Sequence, residues 1–536
     1  MGVAQSRCCR ADPQQADGPD EVERFFGKPA SMRDRASVAL FMKMYYGRLG
    51  NSCDPNRVIE VAPRPSPFVK GLQVYLTQEA IDEPDLEPSL PLGLTRQTTL
   101  SGGKMDSHPE LPQLMKEPQA EIKGKPVIVG TVRMGFGHHR IAYSAVTWAL
   151  EQGAQPYLLD ILAISSPEAE AVIEMDKQYS KFSRLSSNIG GIVDEIWGRM
   201  TLQGSLNSLR CFCAFAEKLR PLMAGLPKDH PVIAAHPLIG QIAVACGFET
   251  VINLVIDNFP QYFVLVPGAM NLVQSPSYYS KLLNMGVPAS HLMYAGHWVS
   301  RDIAMFASTD CEHRMNRCHK RLPLRLLIAI GGAGAQRKYI EQFILGAKPL
   351  LAAGRLKIFI NSGDHGHIAD GLTSLFERHE MSYTLHTTQE ALNDFLVQHQ
   401  LSKLSDPQDD KPITIFNFST HFAAFRATDL LIRAVDVLAT KPSELAFFPV
   451  PKLHIRRVGG HESWSAVRSC ELGDGTIECR EVPQAIEHLH LLVEEESPLL
   501  LQMNRSIIEN TKAHIYEGSK VAVDFARAAW SNKTKS

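Results

Sequence analysis

The sequence predicts an α/β protein: two Rossmann-like domains facing each other across a cleft, with an irregular N-terminal extension and a C-terminal helix. Three observations predict it. From Lys125 the chain alternates short β-branched runs with amphipathic stretches. Near Arg321 a second series of the same texture begins. Each series opens on a strand, a glycine-rich turn and a helix, which is the start of a parallel sheet with crossover helices.

The opening corner of the first series reads "VIVGTVRMGFGHHRIAYSAVTWAL", Val127 to Leu150. Val127, Ile128, Val129 and Val132 form a short apolar β-branched run, as in a buried strand. Ile141, Ala142, Ala145, Val146, Ala149 and Leu150 repeat at helical spacing. Gly135 and Gly137 fall at the junction, where glycine permits a sharp turn and a close approach to the backbone. The helix that follows offers free N–H groups and a positive dipole end, and His138 sits where a ligand would arrive. The strand candidates that follow are "QPYLLDI", "PVIAAH", "TVINLVI" and "MNLVQS". The stretches from Pro167 and from Ser205 have helical composition, and the latter has a strong apolar face.

The second series opens with "LRLLIAIGGAGAQRKYIEQFILG". "RLKIFINSG", "PITIFNF", "AVDVLAT" and "PVPKLHI" continue it as strands. Ser497 to Trp530 is helical and placed to pack back across the domain boundary. Ahead of Lys125, a helix is expected around Arg35–Tyr46 and a strand at "LQVYL", 72–76. The Pro-, Ser- and Gly-rich stretch from Asp82 to Lys123 reads as a linker. The division is therefore 1–20, a flexible tail; 21–124, extension and linker; 125–320, the first Rossmann-like domain; 321–490, the second; and 491–536, a C-terminal helical segment.

Composition narrows the function. The 536 residues carry a formal net charge of −2 and 44% hydrophobic residues. No global charge favours nucleic acid as a partner. The longest apolar run, Val251 to Val266, is broken by Asp257 and Pro260, so no membrane span is expected. The ten cysteines show no metal-type pairs, since Cys211 and Cys213 are only two apart. They read as reduced and structural, and no metal site is expected.

The first ten residues, "MGVAQSRCCR", are the exception. Gly2 and Ser6 complete a pattern for N-myristoylation. Cys8 and Cys9, beside Arg7 and Arg10, are placed for palmitoylation. One acyl chain holds a membrane marginally and a second signal makes the attachment stable. The expectation is a peripheral protein on the cytoplasmic face of a membrane, anchored by N-terminal lipidation.

Several spaced motifs together resemble one family. "GFGHHRIAYSAV", "VIAAHPLIG", "LVIDNF", "LNMGVPASHLMYAGHWVS", "LIAIGGAGA", "VDVLATKPSELAFFPVP" and "GGHES" occur in the order found in glycosyltransferases of the MurG and monogalactosyldiacylglycerol synthase type, glycosyltransferase family 28-like enzymes with a GT-B fold. The resemblance covers roughly residues 125–490. Departures lie in Lys441-Pro442-Ser443-Glu444, which is shorter than the usual donor segment and lacks its glycine. Gly296-His297-Trp298-Val299 and Ile256-Asp257-Asn258-Phe259 depart as well.

The resemblance implies a metal-independent hexosyltransferase, without a cofactor, that moves a hexose from a nucleotide sugar, UDP-linked, to a lipid acceptor such as diacylglycerol. His138 takes the position of the base, a role that suits a group titrating near neutrality. His139, next to it, is expected to point elsewhere. Gly135, Gly137, His236 and Asp257 fall on the acceptor side. Gly331, Gly332 and Gly334 would offer N–H groups to the diphosphate. Lys441 would lie near the phosphates or base, Glu444 at the ribose hydroxyls, and His461 and Glu462 at the donor sugar. Two other readings use the same scaffold: a non-catalytic nucleotide-sugar-binding protein and a sugar-nucleotide epimerase.

Overall fold

The computed structural model describes residues 21–45, 54–66, 69, 71–77, 124–133, 136–174, 205–330, 336–405, 407, 410–419 and 421–533. The tail with Gly2, Cys8 and Cys9, the whole 82–123 linker, Gly135, and the loop holding Gly331, Gly332 and Gly334 lie outside the described residues.

The first sheet contains β1 (Val61–Pro65), β2 (Gln73–Thr77), β3 (Pro126–Thr131), β4 (Gln155–Asp160), β5 (Val232–Ala234), β6 (Val251–Leu254), β7 (Met270–Val273) and β8 (Leu292–Tyr294), in the order β1-β2-β4-β3-β5-β6-β7-β8. All neighbours are parallel except β1 with β2. Val127, Ile128 and Val129 are wholly buried, because helices cover both faces of a parallel sheet and leave no side for polar alternation. The expected boundary at residue 125 therefore cuts through this sheet, since β1 and β2 precede it. β1 reads "VAPRP". Its two prolines remove ladder donors, which only an outermost strand tolerates.

The second sheet contains β9 (Leu324–Ala329), β10 (Leu356–Asn361), β11 (Tyr383–His386), β12 (Ile413–Phe416), β13 (Val437–Thr440) and β14 (Lys452–His454), all parallel, in the order β11-β12-β10-β9-β13-β14. Around the two sheets lie α1 (Glu21–Phe26), α2 (Met32–Tyr45), α3 (Phe136–Glu151), α4 (Leu206–Lys218), α5 (Pro237–Ala245), α6 (Pro276–Asn284), α7 (Arg301–His319), α8 (Arg337–Gly346), α9 (Gly366–Arg378), α10 (Gln389–Gln398), α11 (His421–Leu431), α12 (Ser463–Glu471), α13 (Val482–Val493), α14 (Pro498–Lys512) and α15 (Gly518–Lys533). Two doubly wound sheets in tandem make this a GT-B-type architecture. No helix among the described residues is long and apolar enough to cross a membrane.

The chain returns to its first domain at the end. α14 packs along α7 and α15 along α3. Ala522, Val523, Ala526 and Trp530 form the buried stripe of α15, and the Ser519 and Ser144 hydroxyls meet at 2.6 Å beneath it. The two interdomain passages touch at Gly296. Its φ is +94°, and a Cβ there would lie 2.5 Å from the Ile515 carbonyl oxygen. His297 N–H donates to that carbonyl at 2.6 Å, and Gly518 N–H donates to the His297 carbonyl at 3.0 Å. Only glycine satisfies both the left-handed backbone and the close crossing.

Both sheets have a topological switch point. β4 and β5 lie on opposite sides of β3, as β10 and β13 do around β9. Ligands in such sheets bind beyond the carboxyl ends of the strands at these points. The segments leaving β3 and β6 meet those leaving β13 and β14 across the interface.

Candidate functional site

On the first wall, α3 follows β3 and places His138 in its first turn, half-buried. Its Nδ1 lies 2.8 Å from the Ala235 carbonyl oxygen. A carbonyl only accepts, so this bond puts the ring proton on Nδ1 and leaves Nε2 as the basic nitrogen. The His236 ring is 4.4 Å away, centroid to centroid. His236 caps α5, and its Nδ1 accepts the Leu238 N–H at 3.1 Å. Its proton therefore sits on Nε2. The two side-by-side rings have opposite tautomers, one set by the Ala235 carbonyl just past β5 and the other by the Leu238 N–H in the first turn of α5.

Burial depresses both histidines. His138 lies below the ordinary histidine value because of desolvation, with the Ala235 hydrogen bond and the Asp257 charge partly opposing it. His236 lies well below, from burial and then from His138. Both are neutral at pH 7. Asp257, just beyond β6, is half-buried, and its charge acts on both His138 and Lys441. His139 turns into the domain core, fully buried, with Nε2 3.2 Å from Asp160 Oδ2.

On the second wall, Lys441 and Glu444 follow β13. Lys441 is ion-paired with Glu462. Glu462 also accepts the backbone N–H groups of Val458, at 2.7 Å, and Gly459, at 3.1 Å. Burial alone would raise Glu462, but Lys441 and these hydrogen bonds hold it below the usual carboxylate range. Lys441 is raised, because Glu462 and Glu444 outweigh its burial. His461 is partly buried beside them. The "GGHES" segment is thus folded against Lys441.

The two walls are joined by a residue that sequence reasoning did not single out. Arg140, only 3% exposed, donates from Nη1 to Glu444 Oε1 at 2.8 Å and from Nε to Asp429 Oδ1 at 3.0 Å. Burial would raise Glu444, but Arg140 and then Lys441 hold it low. Asp429 remains raised by burial, although Arg140 and Arg426 oppose the shift. Gly137 explains how the walls come so close. It is helical and not in the left-handed region, so its expected role in a strained turn is replaced by a steric one. A Cβ at Gly137 would lie 3.3 Å from Glu444 Oε2. The carboxylate expected at ribose hydroxyls thus shares at least one oxygen with an arginine from the opposite domain.

A second contact closes another part of the interface. Trp464, at the start of α12, receives Asn258 Nδ2–H on its carbonyl at 3.2 Å and Phe259 against its ring at 5.9 Å. Lys281 of α6 stands 3.0 Å over the same ring. Neither Arg140 nor Trp464 carries a local signal of these roles. Their partners lie in the other domain, hundreds of residues away in sequence.

Residues 287–527 match a family described as Domain of unknown function (DUF6938), and residues 100–282 one described as Domain of unknown function (DUF6937). No curated protein sequence matches the chain. Among solved structures the chain is similar to UDP-GlcNAc 2-epimerase from Neisseria meningitidis bound to UDP-GlcNAc, at 12% identity and a TM-score of 0.41, covering 75% of this chain and 99% of that one. It is also similar to α,α-trehalose 6-phosphate synthase from Burkholderia multivorans, at 11% identity and 0.39, covering 76% and 100%. The S. aureus MnaA–UDP co-structure gives 11% and 0.39, covering 73% and 96%.

Proposed function

We propose that the cleft binds a nucleotide sugar, UDP-linked, and that the protein transfers its hexose to a hydroxyl of a lipid at a membrane surface. The observation that carries this reading is the meeting of the two switch points. A neutral histidine with a basic Nε2 stands on one wall, a lysine–glutamate constellation on the other, and Gly137 leaves room for their approach.

In this reading the acceptor hydroxyl loses its proton to His138 Nε2 as its oxygen attacks the anomeric carbon. The bond from that carbon to the diphosphate oxygen breaks, and the nucleoside diphosphate leaves. His138 is suited to the step because burial keeps it unprotonated at neutral pH. Lys441 supplies positive charge beside the diphosphate, and Asp257 balances the charge that develops on His138. The acyl groups proposed at Gly2, Cys8 and Cys9 would hold the enzyme where a lipid acceptor is concentrated.

The paired histidines also favour a second reading. Two neutral imidazoles with opposite tautomers can take a proton and return one, as a sugar-nucleotide epimerase requires. A screen of nucleotide sugars by thermal shift tests the shared part, because a ligand that binds the folded state raises the melting point. Product analysis with and without diacylglycerol then separates the two. Hexose appearing on lipid supports transfer, and an epimeric nucleotide sugar formed without lipid supports epimerisation. A stabilising ligand with neither product leaves a non-catalytic binder.

A further inference from the structure

The outer face of α2 is finished differently from its inner face. Val38, Phe41 and Met42 turn towards the domain. Phe41 meets Phe212 of α4 at 6.4 Å between centroids. Arg210 of α4 ties down the segment by donating to the Lys28 carbonyl at 2.8 Å, with Asp34 at 3.9 Å. The opposite face carries Met32, Ala36, Ala39, Leu40 and Lys43, all exposed, at positions i, i+4, i+7, i+8 and i+11 that share one side of a helix. Met32 is 89% and Leu40 57% exposed. Arg33 and Arg35, also exposed, flank this stripe.

We propose that this face of α2 is a membrane-contact surface that lies on anionic lipid, with Met32 and Leu40 entering the headgroup region and Arg33, Arg35 and Lys43 meeting lipid phosphates. The proposal rests on the membrane-facing part of the function proposed above and adds a contact that needs no acyl chain. Exposed apolar side chains bordered by cations, on a helix fixed from below, suit the negatively charged surface of an anionic bilayer. A second protein suits it poorly. Four apolar side chains, two of them alanine, offer a small part of the roughly 800 Å² per partner that a stable interface needs. Place in the chain agrees as well: α1 and α2 directly follow the twenty-residue tail bearing Gly2, Cys8 and Cys9, so a bilayer holding that tail lies within reach of α2.

The test uses the full chain produced without acylation, sedimented with phosphatidylcholine vesicles that contain or lack phosphatidylserine. The parent should bind the anionic vesicles and release as salt rises. Arg33→Gln, Arg35→Gln and Lys43→Gln should each weaken binding roughly fivefold. Met32→Ser with Leu40→Ser should weaken it about tenfold or more, with an unchanged melting point because both side chains are already exposed. The proposal is overturned if the parent ignores anionic vesicles, if the serine variant binds like the parent, or if sedimentation velocity shows a dimer that the serine variant dissolves. Because no acyl chain is present, these outcomes are independent of whether Gly2 is modified.

Discussion

Replacing Arg140 by methionine should destabilise the protein strongly and with an unusual pH dependence. The guanidinium is buried between Asp429, 1% exposed, and Glu444, 18% exposed. Methionine fills much of the volume and supplies no charge, so two largely buried carboxylates lose their nearest cation. Breaking a buried pair in this way costs about 3–5 kcal/mol near neutral pH. Asp429 already lies above its ordinary value with Arg140 in place, and it rises further without it. A folded-state pKa above the unfolded one means that the folded state binds more protons as pH falls through that interval. The deficit should therefore be largest at pH 8 and shrink towards pH 5, by up to about 1.4 kcal/mol per pH unit for one proton. The assay is urea unfolding of parent and variant at both pH values, followed by tryptophan fluorescence. Adding Asp429→Asn should recover much of the loss at pH 8, since the stranded charge is gone. A deficit below about 1 kcal/mol, or one that ignores both pH and Asp429→Asn, would show that Arg140 does not hold the domains together electrostatically.

Three further outcomes follow from other parts of the fold. Gly296→Ala should lower stability by about 3 kcal/mol or more, because it joins a left-handed backbone to a clash with the Ile515 carbonyl; calorimetry reads it, and Gly153→Ala, which is left-handed but open, should cost clearly less. Acid should weaken the fold through its buried histidines: His454 is lowered to about 3 by burial, so its contribution is whole above about pH 6.5 and declines below it, by about 2 kcal/mol at pH 5. His454→Leu should flatten that part of a melting-point–pH curve. In cells that acylate proteins, Gly2→Ala should move the protein to the soluble fraction and Cys8→Ser with Cys9→Ser should weaken retention, read by fractionation. An unaltered distribution would reject the lipid anchor.

Much of the parallel-sheet scaffold was legible because buried parallel strands are continuous β-branched runs. "VIVGTV" and "LRLLIAI" need no tertiary knowledge to be read as strands. β1 and β11 were not legible. The first contains two prolines that its edge position excuses, and the second, Tyr383–His386, is another edge strand, short and largely unburied. The passage from β3 into α3 was legible as a strand followed by a helix, but the reason for Gly137 was not. It depends on Glu444, more than three hundred residues on. His138 and His139 are neighbours in sequence, and the Ala235 carbonyl and Asp160 send them to different places. Arg140 sits inside the same motif and looks like the polar start of a helix, because both its carboxylate partners come from the other domain.

The central claim is that the cleft holds a nucleotide sugar with His138 as the base. The measurement that tests it most directly is calorimetric titration of the preferred nucleotide sugar, with turnover on a lipid acceptor, for the parent, Lys441→Met and His138→Ala. The account predicts saturable binding to the parent and weakened binding to Lys441→Met. His138→Ala should bind the donor nearly as the parent does, yet turn over about 10²–10⁴-fold more slowly. The acid limb of the parental pH–rate profile should fall below pH 6.5, about the ordinary histidine value, because burial lowers His138. Parental turnover in His138→Ala, or donor binding that Lys441→Met leaves untouched, would contradict it.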